Sequence, residues 1–492
     1  MCLLEMAKLT IVGSGIAGIA ASIRLALKGH KVKVFESNQY PGGKIAPIES
    51  KGFRFNYGPQ LLTLPQQIDE LFKISGKDPK DYFDYKRKDV HCVYFWDNKK
   101  KFIAYDDKDK YYQNFEKTFD INREIIKKYF EKSKNKYDLT HKIFLENSLH
   151  KLRTYLKRDT IKAIAKISSL NIGKSLHALN KQYFKNELVV QMFDRYATYN
   201  GSNPYQTPGI MSLIQHLENH YGTYLPTEGM DSISQSLYSL ACENGVKFYF
   251  NETVERIFTK DGKVKGIATD KREIESDIII SNMDIYHTYK KLLPSYKTPK
   301  KVKNNERSSS ALVFYWGIKK SFPELDLHNI FFSSDYKKEF DKIFKENDIS
   351  NDPTIYVNIS SKDIPGHAPI NKENWYVMIN VPWNENQDWV QKTEKLKRLV
   401  IKKIDLTLST NIEKLIETEK IVTPVDISND TLSYKGALYG SSSNSKLSAF
   451  LRHPNFSKKI KNLYFVGGSV HPGGGIPLCL LSAKIVDNLI SQ

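Results

Sequence analysis

Cysteine is scarce. The 492 residues hold four, Cys2, Cys92, Cys242 and Cys479, and none forms a CxxC pair. That excludes a disulfide framework and a cysteine-built zinc site, and it fits a reducing, cytoplasmic setting. Long apolar runs are missing as well. No stretch of about 18 uncharged apolar residues occurs, so no membrane-spanning helix is expected. The opening MCLLEMAK is too short and too acidic for a secretory leader. Acidic residues are in the minority, 55 Asp and Glu against 74 Lys and Arg, which leaves a net charge of +19 and a pI near 9.3. A surplus of that size faces a negative partner: nucleic acid, anionic lipid or an acidic cofactor. No nucleic-acid fold signature accompanies the charge, so no nucleic-acid partner is expected.

What is present is a globular composition. Hydrophobic residues are 40% and aromatics 12%, enough for a sizeable core. The length predicts two or three domains or one large interleaved unit. Near the start, Lys8–Val12 reads as a buried strand, followed at once by Gly13-Ser14-Gly15-Ile16-Ala17-Gly18. A helical pattern then runs from Ile19 to Lys28, a second strand from Lys31 to Phe35, and Glu36 closes it. Strand, GxGxxG, helix, strand and acid in this order form a dinucleotide-binding fingerprint. Gly13 permits the tight turn, Gly15 lets a pyrophosphate approach the backbone, and Gly18 lets helix and strand pack closely. The N–H groups of Ile16 and Ala17 open the helix and face the phosphates. Glu36 accepts from a ribose diol, which favours FAD or NAD over NADP.

Further glycine motifs follow. Pro41-Gly42-Gly43-Lys44 offers close backbone approach and a cation for a phosphate. Gly52-Phe53-Arg54-Phe55-Asn56-Tyr57-Gly58-Pro59 ends in a sharp turn. At the other end, a buried strand leads into Val466-Gly467-Gly468-Ser469-Val470-His471-Pro472-Gly473-Gly474-Gly475-Ile476-Pro477 and a helix expected over 478–491. Gly467 and Gly468 let a cofactor pass close to the backbone. The N–H groups near Gly475 and Ile476 sit at a positive helix end, suited to the anionic edge of a reduced flavin. His471 beside them is either a base or a turn-stabilising residue.

GxGxxG, PGGK and GFxFxxGP together resemble the flavin amine oxidase–like superfamily in its carotenoid desaturase branch, and matching segments run from residue 8 to about 490. The branch more often carries Asp where this chain has Asn56, so part of the loop's hydrogen bonding is expected to be lost. The resemblance implies FAD as cofactor and places Ser37, Gly58 and Pro59 beside it, with the backbone of Val254 against the adenine. FDRYATYNGS and GGSVHPGGGIPLCLLSAK look closest to 3,4-desaturases of 1-hydroxycarotenoids. Phytoene desaturases tend to a different loop where this chain has Glu228-Gly229-Met230.

The middle is unlike the ends. Residues 120–190 hold 16 Lys and Arg against 7 Asp and Glu. Leu149, Leu152, Leu156, Ile161, Ile164, Ile167 and Leu170 recur there at helical spacing. Basic amphipathic helices suit an anionic membrane surface, and an ordinary helical subdomain with a basic outer face fits the same pattern. In Met192–Asn200, Asp194 and Arg195 read as an adjacent acid–base pair, the candidate catalytic residues. Tyr196 and Tyr199 read as substrate-cavity walls with polar tips.

The expected fold is α/β. A Rossmann-like FAD-binding domain is assembled from 8–115, 221–285 and 426–492. Inserted between these are a basic helical cap over 116–220 and a substrate-binding sheet over 286–425. The resemblance implies desaturation of a long polyene, a carotenoid, by a cytoplasmic protein attached peripherally to membrane. The alternatives are a phytoene desaturase, an amine oxidase of the same superfamily, and a prenyl-binding protein like the Rab GDP-dissociation inhibitors. No metal is expected.

Overall fold

The computed structural model describes residues 6–490. Cys2, the remaining opening residues and Ser491, the expected last residue of the final helix, lie outside them.

Short β-branched stretches set the first layer. Five strands, 463–465, 278–281, 8–12, 31–35 and 247–249, lie side by side in that order, all parallel. They come from both ends and the middle of the chain, as the expected discontinuous domain requires. Lys8–Val12 is central and buried on both faces, which is why it reads as an unbroken apolar run. The helix Ile16–Ala26 is rich in alanine and glycine, and ten of its eleven residues are buried. Its small side chains let the final helix Ile476–Ile490 and the helix Ser232–Glu243 close on it. A three-stranded meander, 254–260, 263–269 and 273–275, flanks this layer, with its first turn at Asp261 and Gly262.

The second sheet has seven strands in the order 416–422, 310–318, 373–381, 355–358, 328–331, 90–95 and 101–105. Residues 90–105 were expected in the first FAD-binding piece. The structure corrects this: Val93, Tyr94 and Phe95 pair parallel with Asn329, Ile330 and Phe331. The alternation of 310–318 explains its total burial. Leu312, Phe314 and Trp316 face the helix Trp389–Leu408, while Val313 and Tyr315 face Phe53, Phe55 and Tyr376.

Residues 108–219 form the helical cap. The helices Lys108–Phe119, Arg123–Phe144, Leu176–Tyr183 and Glu187–Asp194 pack an aromatic core against the edge of the second sheet. The short helices Leu152–Tyr155 and Arg158–Ala165 differ. Leu149 and Leu170 are buried, whereas Leu152, Leu156, Ile161, Ile164 and Ile167 are exposed. Among the described residues no helix is long and apolar enough to cross a membrane.

Candidate functional site

The glycine motifs of the two chain ends meet across one side chain, Asn282. Its Oδ1 accepts from Gly18 N at 3.2 Å, and its Nδ2 donates to Val466 O at 3.2 Å. A Cβ on Gly15 would lie 2.6 Å from that Oδ1, and one on Gly467 would lie 2.6 Å from Nδ2. Gly18 is held even closer, its absent Cβ falling 2.3 Å from Gly13 O. Gly13 makes the turn at φ +94° and donates to Phe35 O at 2.8 Å. The helix that follows has Gly15 as its N-cap, with no capping side chain and no acid in its first turn. The N-terminal end that carries Ile16 and Ala17 is thus left to a ligand.

The PGGK loop joins this turn. Gly42 N donates to Ser14 O at 2.8 Å, and a Cβ on Gly43 would touch Gly15 Cα at 3.4 Å. Gly58, before Pro59, lies over Lys44, where its Cβ would fall 2.3 Å from Lys44 O. Asn56 uses both ends of its carboxamide: its Oδ1 accepts from Met230 N at 3.2 Å, tying the hairpin to residues 229–231, and its Nδ2 donates to Gln60 Oε1 at 3.4 Å. Glu36 is buried and accepts from Ser14 N at 2.8 Å, Ser14 Oγ at 3.0 Å, Asn38 N at 2.9 Å and Ser37 Oγ at 3.2 Å. It therefore orders the loops as well as offering a carboxylate. Val254 is buried at the start of the meander, and the neighbouring Glu252 is held by Arg272 at 3.0 Å.

At the C-terminal motif, Gly468 lies against Gly474, where its Cβ would fall 3.1 Å from Gly474 Cα. Gly475, at φ +106°, has nothing within 4 Å of its Cβ position and opens on free space before Ile476. Asn455 fastens the loop, its Nδ2 donating to Phe465 O, His471 O and Ser482 Oγ at 3.2, 2.7 and 3.0 Å. His471 is buried, and its Nε2 is spent on Asn147 O at 2.9 Å. Burial holds its pKa down at about 4, with His150 and Arg452 adding to that and the Asn147 bond opposing it. It is a neutral turn-stabilising residue rather than a base.

Two cations complete the cradle, the buried Arg452 and the partly buried Lys44. Lys44 Nζ donates to Leu438 O at 3.1 Å, and Arg452 Nη1 donates to Tyr439 O. Among the described residues neither makes an ion pair with a carboxylate. Burial lowers the Lys44 ammonium below its ordinary value, against the pull of Asp284 and Cys479. Burial, aided by Arg307, takes the Arg452 guanidinium to about 10. A buried cation without a carboxylate partner is costly, so a site that keeps Arg452 beside the partly buried Lys44 fits an anionic occupant. Together with the glycine cradle, they suit a dinucleotide whose phosphates and flavin edge carry negative charge.

The cap holds the expected catalytic pair, and here the structure corrects the sequence. Asp194 ends one helix and Arg195 starts the 3-10 turn Arg195–Asn200, so their side chains diverge. Asp194 Oδ2 is bonded to His177 Nδ1 at 2.7 Å and its Oδ1 to Asn180 Nδ2 at 2.8 Å. Burial raises its pKa, partly offset by His177 and Asn180. Arg195 turns the other way, toward Glu218 at 3.4 Å and Tyr94 Oη at 2.7 Å. Tyr196 Oη donates to Glu218 Oε1 at 2.6 Å, and Tyr199 Oη donates to Glu218 Oε2. The two tyrosine tips are therefore committed to a buried carboxylate. Burial pushes the Glu218 pKa up, but Arg195, His91 and the two tyrosines together bring it below its ordinary value.

Sequence reasoning missed Glu218, Asn282, Asn455 and Arg452. Asn282 had a signal, a polar residue directly after the apolar strand Ile278–Ser281. Glu218, in His216-Leu217-Glu218-Asn219, had none.

Residues 16–486 match the family described as Flavin containing amine oxidoreductase. Over 485 residues the chain is 51% identical to a 1-hydroxycarotenoid 3,4-desaturase of Flavobacterium sp. (strain P99-3), with 99% of each chain covered. Over 492 residues it is 31% identical to a 4,4'-diaponeurosporene oxygenase of Staphylococcus aureus (strain MSSA476), with 98% and 97% covered. An oxidoreductase from Methanosarcina mazei of known structure shares the fold at a TM-score of 0.66 and 16% identity, over 98% of this chain and 100% of that one.

Proposed function

This chain belongs to the flavin containing amine oxidoreductase family and is an FAD-dependent oxidoreductase, and we propose that it desaturates a carotenoid, forming the 3,4 double bond of a 1-hydroxycarotenoid. The observation that carries the reading is the cradle itself, joined from both chain ends beside the cations Lys44 and Arg452, in a chain so close throughout to a protein of that activity. When bound, FAD supplies the two-electron acceptor: one substrate hydrogen leaves as hydride, the other as a proton, and one C–C bond becomes C=C. The glycines at 13, 15, 42, 43, 467, 468 and 475 admit the cofactor. Lys44 and Arg452 neutralise it. The sheet face bearing Tyr315, Tyr356 and Tyr376, with the cap above it, excludes water from an apolar chain. Positive charge that develops on the substrate spreads along the polyene, so no strong base is required, and no proton is asked of Asp194.

The substrate class bears on where the protein works. Leu152 is 86% and Leu156 78% exposed, and Ile161, Ile164 and Ile167 continue the same outward face. Lys151, Arg153, Lys157, Arg158, Lys162 and Lys166 stand exposed among them. Each such apolar side chain gains ~1.5–3 kcal/mol when fully buried, and the lysines and arginines suit anionic headgroups. Attachment of this face to a membrane surface is part of the proposal.

The test uses the purified flavin-loaded protein with vesicles carrying a 1-hydroxycarotenoid or phytoene. The expected product is the hydroxycarotenoid less two hydrogens, with a red-shifted absorption. Conversion of phytoene alone would move the assignment to the phytoene branch. Failure of both polyenes to bleach the bound flavin without oxygen would overturn desaturation altogether. Flotation should favour anionic over neutral vesicles, and equal binding to both would remove the electrostatic part.

A further inference from the structure

A buried polar group in the cap lacks a partner where one would matter. Asn200 ends the 3-10 turn Arg195–Asn200. Its Oδ1 is buried without a hydrogen-bond partner, and its Nδ2 reaches only Met211 Sδ at 4.0 Å. The charged acceptors nearby are taken. Glu218 receives Tyr196, Tyr199 and Arg195, and Asp194 receives His177 and Asn180. Within 194–203 and Glu218, Asn200 Oδ1 is the buried side-chain acceptor left without a donor.

Its place in the fold is informative. The next residue, Gly201 at φ +61°, packs so tightly that a Cβ would fall 2.7 Å from Ser308 Cβ and 2.9 Å from Tyr439 Cδ2. The far edge of the same ring, Tyr439 Cδ1, lies 2.8 Å from the Cβ position of Gly474. One tyrosine ring therefore separates the turn that carries Asn200 from the C-terminal glycine loop. Ser443 N, which donates to Ser202 Oγ at 2.8 Å, ties the turn to the segment that carries Tyr439.

Substrate chemistry demands a polar group at such a place. In a 1-hydroxy chain the oxygen is three bonds, about 3–4 Å, from C3. Whatever binds the alcohol must then stand next to the point of oxidation, whereas the exposed polar groups of the outer cap do not. We propose that Asn200 is the recognition residue for the tertiary hydroxyl at the chain end of the substrate. The hydroxyl donates to Oδ1, or accepts from Nδ2 if the carboxamide is turned over, since an alcohol serves both. The inference rests on the desaturase reading and adds to it the group that tells an alcohol from a hydrocarbon.

The experiment compares the wild-type holoprotein with Asn200→Leu and Asn200→Ser. Binding of a 1-hydroxycarotenoid and of its hydrocarbon parent is followed by the shift of the polyene band, alongside kcat/KM for each. Wild type should prefer the alcohol. Asn200→Leu should raise the alcohol-to-hydrocarbon ratio of Kd values about 5- to 150-fold, the worth of one buried hydrogen bond. Asn200→Ser, which keeps a hydroxyl, should recover part of it. A ratio unchanged in Asn200→Leu, or a wild type without preference, overturns the inference. Should Asn200→Leu not fold, Asn200→Ser alone decides, an unchanged ratio being negative. Failure of the desaturase reading itself looks different: wild-type flavin then stays oxidised with both polyenes.

Discussion

Replacing Glu218 by glutamine tests the buried cluster of the cap. Glu218 is 3% and Arg195 9% exposed in their side chains, so water does little to screen the pair. The variant removes the charge opposite Arg195 and turns one acceptor into a donor facing Tyr196, Tyr199 or the guanidinium. Breaking a buried pair on one side costs about 3–5 kcal/mol, because the survivor stays buried and unpaired. Native-state hydrogen exchange on the flavin-loaded protein reads this locally. Protection in residues 187–200 and 214–219 should fall by about two to three and a half orders of magnitude, while strand Lys8–Val12 changes little. The pH dependence has a definite sign. The folded pKa of Glu218 lies below the ordinary 4.5, so its contribution is complete above the unfolded value and fades as pH falls through the folded one. The gap between wild type and variant should hold from pH 8 to about 5 and narrow in more acid solution. A loss under about 1 kcal/mol, or a gap constant into strong acid, would refute the cluster as an ion-paired anchor.

Gly18→Ala should weaken FAD at least about tenfold and cost ~1–3 kcal/mol, because its new methyl meets a backbone carbonyl that cannot step aside. Gly173→Ala, where nothing lies within 4 Å of the new Cβ, should change neither, and flavin fluorescence titration with thermal melts reads both. Lys44→Met should act with opposite signs on the two forms of the protein. The apoprotein gains stability by shedding a partly buried, desolvated ammonium, while FAD affinity falls about 10- to 100-fold, the range of hydrogen bonds to charged groups. A parallel fall in both would remove Lys44 from the cofactor site.

Much of the cofactor half was legible because its signals are local. Glycines at fixed offsets, β-branched strands and an acid after the second strand report on backbone that neighbours in sequence build. Asn282 was not legible, since its partners lie 264 and 184 residues away and nothing near it in sequence names them; Asn455 bonds within its own C-terminal stretch, but its side chain carries no motif that singles it out. The pairing of Asp194 with Arg195 failed for a geometric reason. Neighbours in a helical turn point about 100° apart, so adjacency in sequence is poor evidence of contact there. The hairpin of residues 90–105 was misplaced because a strand's sequence does not say which sheet it joins. The helical spacing that begins at Leu149 breaks between two short helices, and periodicity alone does not say that Leu152 and Ile161 are exposed.

The hydrogen bond from His471 to Asn147 O spans two regions that otherwise have separate business. His150 stands edge-on to the same imidazole at 6.0 Å, and Lys151 lies over the Phe456 ring at 4.3 Å. The outward-facing leucines begin at the very next residue. Anything that orders residues 147–152 from outside therefore also steadies the glycine loop within, and reciprocity requires the converse. On the proposed membrane attachment, coenzyme retention and lipid adhesion become two readings of one equilibrium, so a protein washed free of bilayer should surrender its yellow colour more readily than one left at rest upon it.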